Sequence, residues 1–364
     1  MDLAARIDLN DAETFPSRRS EDWKYTDVRR WLRAVPEPAE PFDVKPLTGV
    51  FGGISGEYPP HETVFANGSF LHMTAHPDEN FGGNQVTIFG RKDVAGRSLA
   101  PHLEILRFVS LANGEGWQAS VGFTAGPGDH VVLLESYEGQ GSYVGNAVLN
   151  IAVMEGARLE RIVLADDADE SLSFSQANVT LAAGAAFSQT VLTTGAKLQR
   201  LETRVRHPGE GAAVRLDGAY LLAGARHADL TTEVDHVGPN GLTDQLAKGV
   251  VRDSSRGVFQ GRIVVRKGAD GTDARMGHHA LITSERGEVD AKPELEIYAD
   301  DVSCAHGNTV GALDEQALFY MQQRGIPAET ARVMLTEAFL MEVVDRIGHE
   351  GAREAVRAWL SERL

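Results

Sequence analysis

Gly128-Asp129-His130-Val131, Gly156-Ala157-Arg158-Leu159, Gly184-Ala185-Ala186-Phe187 and Gly211-Ala212-Ala213-Val214 return at intervals of roughly 28, 28 and 27 residues. A fixed period of this length is the mark of a repeat architecture. In each copy the glycine suits a tight turn that needs positive φ or freedom from a Cβ clash, and the apolar fourth residue opens a β-prone run. Between the turns, Leu172 and Phe174, then Ala177, Val179 and Leu181, alternate with polar residues, as do Val214 and Leu216. That is the period of two of half-buried strands. A unit of this size holding two short strands cannot bury its apolar face alone, so successive units stack around a common interior. A β-helix is the arrangement that satisfies this. A β-sandwich of many short strands is the competing one. The β-like runs continue through Val258–Val265 and Glu294–Tyr298, which carries the body to about His306.

The flanks read differently. Residues 1–45 form a small N-terminal helical segment, with a helix-compatible stretch from Ser20 to Leu32 before Pro36 and Pro38. Residues 46–311 form the β-helix core, whose early part has no clear order in the sequence. Residues 312–364 form a C-terminal helical unit: Asp314 caps Glu315–Arg324, Gly325 ends that helix, and Pro327 suits the first turn of a second helix running to about Ile347. The second helix is apolar over more than one stripe, from Ala331 through Ile347. It is either wedged among its own neighbours or also enters a partner's groove.

With 364 residues, 42% hydrophobic and 24% charged, the chain is expected to be a soluble folded protein. Its 35 basic and 52 acidic residues give 35 − 52 = −17, which disfavours nucleic acid and anionic membranes as partners. Cys304 is the single cysteine, so no intramolecular disulfide forms and a reducing compartment fits. The acidic start between Met1 and Arg19 lacks a signal-peptide core, and no apolar run has the length of a membrane span. The expected location is cytoplasmic.

Chemistry concentrates at Cys304 and His306. One residue apart on a strand, they share a face and can ligate one metal, yet two ligands fall short of the four that clusters and structural zinc take. With no second cysteine, any such site is shared with another chain or transient; on its own, a Cys-x-His pair is more often a small apolar residue beside a structural histidine. Other groupings are weaker. His72 and His76 have helical ligand spacing in β-like surroundings, His278 and His279 diverge on a strand, and Asp300-Asp301 reads as a solvated turn. No phosphate-binding loop occurs, and Gly139-Gln140-Gly141 lacks dinucleotide-turn spacing, so ATP hydrolysis by this chain is not expected.

The run Lys292-Pro293-Glu294-Leu295-Glu296-Ile297-Tyr298-Ala299-Asp300-Asp301-Val302-Ser303-Cys304-Ala305-His306-Gly307 resembles the end of the core of the SufB/SufD family of iron-sulfur cluster assembly proteins. Thr309-Val310-Gly311, Leu313-Asp314-Glu315, Leu318-Phe319-Tyr320 and Arg324-Gly325-Ile326 continue the likeness, and Glu21-Asp22-Trp23-Lys24-Tyr25-Thr26 is similar to the family's N-terminal motif. SufB-like members carry Glu-His-Glu where this chain reads Ala305, His306, Gly307, so the resemblance is to the D type. The chain is short for this family.

The resemblance implies a mainly β protein, a right-handed parallel β-helix flanked by helical segments. It implies a non-catalytic scaffold of the SUF system that pairs with a SufB-like paralogue and docks the SufC-like ABC-type ATPase on its C-terminal helices. Met334, Leu335, Ala338, Phe339 and Met341 are then the ATPase contacts. His306, with Cys304 beside it, is the contribution to a transient, shared metal site where an iron-sulfur cluster is assembled at the interface with SufB; no cofactor is held stably by this chain alone. Alternatives are a β-helix carbohydrate-active enzyme with acidic residues along one face, a SufB-type paralogue of the same scaffold, and a homodimer formed in isolation.

Overall fold

The computed structural model describes residues 7–54, 60–73, 85–89, 102–207 and 209–364. The His72/His76 pairing lies outside the described residues. The N-terminal segment holds 3-10 turns at Ala12–Thr14 and Glu21–Trp23 and one four-residue helix, α1 (Val28–Trp31), in place of a single helix across Ser20–Leu32. The reason is local. Trp23 and Thr26 are drawn onto the solenoid wall, and the Asp27 carboxylate accepts from Arg30 N, restarting the helix one turn later.

Strands β1 (His61–Ala66) and β2 (Ser69–Met73) form an antiparallel pair at the start of the body. There follow β3 (Gln85–Phe89), β4 (His102–Ala112), β5 (Gly116–Ala125), β6 (His130–Gly141), β7 (Val144–Val153) and β8 (Arg158–Asp166). The wall continues with β9 (Leu172–Leu181), β10 (Ala186–Thr193), β11 (Leu198–His207), β12 (Ala213–Leu222) and β13 (His227–His236). Its last five strands are β14 (Leu242–Val251), β15 (Arg256–Val265), β16 (Asp273–Ile282), β17 (Glu288–Ile297) and β18 (Ser303–Gly311). From β4 onward the even-numbered strands stack in one sheet and, from β3, the odd-numbered in another, each strand parallel to the one a full turn later. This is a parallel β-solenoid of about seven turns.

The glycine period is the pitch of this solenoid. Gly128, Gly156, Gly184 and Gly211 have φ of +73°, +65°, +63° and +67°, a region that glycine enters without a Cβ penalty. Each donates its backbone N–H to the turn of the next coil: Gly156 to Ala183 O at 3.1 Å and Gly184 to Glu210 O at 2.9 Å, for example. The apolar fourth residues stack in register, Val131 on Leu159, Leu159 on Phe187, Phe187 on Val214, and all are buried. The ladder runs on through Thr243 and Ala274 to Cys304. Cys304 is thus the last rung of the repeat that sets the fold.

Strand β9 buries both of its faces. Ala177, Val179 and Leu181 line the interior, whereas Leu172 and Phe174 face outward and pack with Ile7, Leu9, Phe15 and Trp23 of the N-terminal segment. Three C-terminal helices follow, α2 (Glu315–Gln323), α3 (Ala328–Val344) and α4 (Glu350–Ser361); α3 and α4 cover the other sheet, and α2 packs on α3. Leu340, Val343, Val344, Val356 and Trp359 bury against Ile162, Leu164, Leu192 and Val250. As the capping residues require, Asp314 accepts from the N–H groups of Gln316 and Ala317. Helix α3 ends at Val344, short of Ile347, and its breadth of apolar surface follows from touching β12, β14, α2 and α4 at once. No helix among the described residues is long and apolar enough to cross a membrane.

Candidate functional site

Strands β17 and β18 are the last of their sheets, so the backbone edges of both sheets end in the same place. An unpaired edge offers a row of N–H and C=O groups for strand addition. Register fixes what the inner face of β18 presents. Cys304 stacks on Ala274, His306 on Met276 and Asn308 on His278, and all three supporting residues are buried. With no further coil above, Cys304 is only half-buried and His306 and Asn308 are exposed. Residues that would be core in any earlier coil are here a surface. Ile297, Tyr298 and Val310 add exposed apolar side chains to the same end, at 44%, 59% and 45% exposure.

Partial burial, with the Asp273 carboxylate nearby as a smaller influence, pushes the Cys304 thiol upward from its ordinary pKa. In the isolated chain this cysteine is held as a thiol, a weaker ligand than the thiolate. Among the described residues no group of three or more His, Cys, Asp or Glu side chains is placed to hold a metal ion. Cys304 and His306 share a face, as their spacing requires, which makes two potential donors, fewer than the four that a cluster takes.

Behind the rim lies a polar chain that the sequence reading did not find. His278 is fully buried, its Nδ1 2.7 Å from Asn308 Oδ1 and its Nε2 3.0 Å from the Tyr220 hydroxyl. His279 points the other way, toward Thr309 Oγ1 at 2.7 Å, so the adjacent histidines diverge as expected of a strand. Asp300 and Asp301 are exposed in the turn before β18, where Asp301 O accepts from Gly271 N at 2.7 Å.

The helix residues named for a partner divide between two surfaces. Phe339 and Met341 lean on the cluster between helices and solenoid, with the Lys248 ammonium 4.2 Å from the Phe339 ring centre. Leu335 is half-buried, and Met334 and Ala338 are exposed. Helix α2 buries none of its residues and exposes Phe319 and Tyr320 at 63% and 60%. Val333 and Met334 on α3 are exposed as well.

Fold and site together define a β-solenoid protein whose repeat ends in an unpaired, sulfur- and imidazole-bearing coil. Residues 108–339 match the family described as SUF system FeS cluster assembly, SufBD core domain. The chain belongs to this family, as a SufD-like member. It is 36% identical over 219 residues to the iron-sulfur cluster assembly protein SufD of Escherichia coli, a match covering 60% of this chain and 52% of that protein. It is 32% identical over 236 residues to the chloroplastic protein ABCI7 of Arabidopsis thaliana, covering 63% and 49%. With SufD of Bacillus subtilis the identity is 34% over 156 residues, covering 43% and 36%. The chain thus spans about half or less of the length of these relatives.

Proposed function

We propose that this chain is a non-catalytic, SufD-like scaffold subunit of a cytoplasmic SUF complex. Its open solenoid end pairs with a SufB-like paralogue, and its C-terminal helices take a SufC-like ATPase. The cargo, an iron-sulfur cluster in assembly, sits transiently at the paired end, where His306 is this chain's principal ligand and Cys304 a secondary one. One observation carries the reading: the edges of both sheets terminate in the coil that exposes Cys304 and His306. A second solenoid meeting that coil would continue both sheets by strand addition, cover the open core and complete an otherwise deficient ligand set in one step. A partner of unrelated shape would do only part of this.

The ATPase reading rests on Phe319, Tyr320, Val333 and Met334, an apolar group left outside the packing between helices and solenoid. Full burial of such side chains stabilises by about 1.5–3 kcal/mol each.

Co-expression with SufB-like and SufC-like subunits, followed by size-exclusion chromatography, tests both contacts. A ternary complex is expected, with Val310→Glu releasing only the SufB-like subunit and Phe319→Ala/Met334→Ala releasing only the ATPase. Recovery of the wild-type chain as a monomer or homodimer beside unbound partners would overturn the proposal.

A further inference from the structure

The interior rung that ends at Asn308 is apolar for most of its length: Val163, Val191, Gly218 and Ala247 lead to His278 and then Asn308. Polar side chains stand on this rung at Glu135, which Arg161 pairs in an early coil, and again at His278 and Asn308 in the last two coils. His278 stacks flat on Phe259, ring centres 4.7 Å apart and planes at 2°, in a position that an apolar ring would fill without needing hydrogen-bond partners. Both imidazole nitrogens nonetheless have partners. The inner one, Tyr220, belongs to the coil of β12, and its ring passes over Gly249 of the intervening coil to reach His278. A Cβ on Gly249 or on Gly257 would collide with that ring. Two glycines and a buried tyrosine therefore serve one histidine, whose outer partner stands on the rim.

The direction of the chain follows from its chemistry. An amide oxygen only accepts, so His278 Nδ1–H donates to Asn308 Oδ1, His278 Nε2 is unprotonated, and the Tyr220 O–H donates to it. With its oxygen engaged inward, the Asn308 carboxamide is fixed in orientation. Its NH2 group has no acceptor among the described residues. It lies on the same strand face as His306, two residues and roughly 7 Å along.

We infer that Asn308 is a further functional residue of this site: a pre-oriented N–H donor to anionic sulfur of the cargo, with His278 and Tyr220 as positioning residues behind it. The inference rests on the assembly role proposed above. Hydrogen bonds to cluster sulfur are among the levers by which a protein tunes a cluster. A donor is needed here, because Asp273, Asp300 and Asp301 place carboxylates around the rim while cargo sulfide is itself negative.

The test uses the complex reconstituted with SufB-like and SufC-like subunits and compares Asn308→Asp, Asn308→Ala, Tyr220→Phe and His306→Ala. Asn308→Asp keeps the acceptor for His278 and replaces the outward donor by a charged carboxylate oxygen, whereas Asn308→Ala removes the donor without adding charge. Asn308→Asp is expected to slow cluster formation roughly tenfold, the effect of one hydrogen bond to a charged group. It is also expected to shift the visible circular dichroism of the nascent cluster while leaving affinity for the SufB-like subunit, measured without iron or sulfide, within about twofold. Asn308→Ala should match it, and Tyr220→Phe should reproduce part of the spectral shift. If His306→Ala fails while Asn308→Asp assembles at the wild-type rate with an unchanged spectrum, the donor role is wrong and the site reading survives. If His306→Ala also behaves as wild type, the site reading itself falls.

Discussion

The guanidinium of Arg200 lies 4.2 Å from the ring centre of Trp23, joining the N-terminal motif to the solenoid wall through a cation–π contact with both residues buried. Arg200 also donates to Asp22 O at 2.7 Å, to Glu202 at 3.0 Å and to Asp229 at 3.0 Å, while the Thr26 hydroxyl donates to Asp229. Lys292 on the terminal strand β17 completes the fastening with a 2.7 Å ion pair to Glu21. Trp23→Ala removes a buried aromatic and uncovers a buried cation. It should cost about 3–5 kcal/mol in urea unfolding and open the segment before Leu32 to limited proteolysis, with Trp23→Phe retaining most of the stability.

Inside the solenoid, Arg161 donates to both oxygens of Glu135 at 2.8 and 2.7 Å and to Gln189 Oε1 at 2.6 Å, while the Tyr137 hydroxyl donates to Glu135 at 2.6 Å. Both charges are buried. Breaking such a pair from one side strands a charge in a medium of low dielectric. Glu135→Leu should destabilise by about 3–5 kcal/mol, and the double variant Glu135→Leu/Arg161→Met should recover much of that in the same denaturation experiment.

The rings of His207 and His236 meet edge to face at 4.0 Å, and among the described residues neither nitrogen of His207 has a hydrogen-bond partner. Burial holds both neutral, with His207 pushed down to about 4 and His236, also beside His207, to about 3. The unfolded chain takes up these protons near the ordinary histidine pKa of about 6.5, and the native chain does not. Stability from this pair is therefore complete above about pH 6.5 and declines as the pH falls toward about 4, at up to about 1.4 kcal/mol per pH unit for each proton. Asp217 acts with the opposite sign: burial raises it to about 7, so the native chain holds its proton more tightly as the pH drops. His207→Phe isolates the first effect. Urea unfolding at pH 7 and pH 5 should show the wild type losing more stability between the two than the variant.

Periodicity made the solenoid legible, because each glycine at positive φ marks one coil and each apolar fourth residue marks one rung. The series seemed to stop after Gly211 because Asn240 takes the next position, with φ +57°; asparagine tolerates the left-handed region but carries no glycine signature. Gly271, at +72°, then resumes it, one coil before the rung of Cys304. The pairing of Cys304 and His306 on one face was readable from alternation alone. The Tyr220–His278–Asn308 chain was not, since it joins residues 58 and 30 positions apart through register across coils. The N-terminal segment misled for a related reason: Ser20–Leu32 has helical composition, but the wall offers Trp23 and Thr26 better partners than a helix would.

The open coil bearing His306 ends the solenoid, and assembly of an iron-sulfur cluster by the complex reconstituted from this chain, a SufB-like subunit and a SufC-like ATPase is the most direct test of its role. His306 is exposed and makes no core contact that its loss would collapse. His306→Ala should leave the complex intact on size-exclusion chromatography and abolish the visible absorbance of the assembled cluster. Cluster formation at the wild-type rate and yield would contradict the assignment.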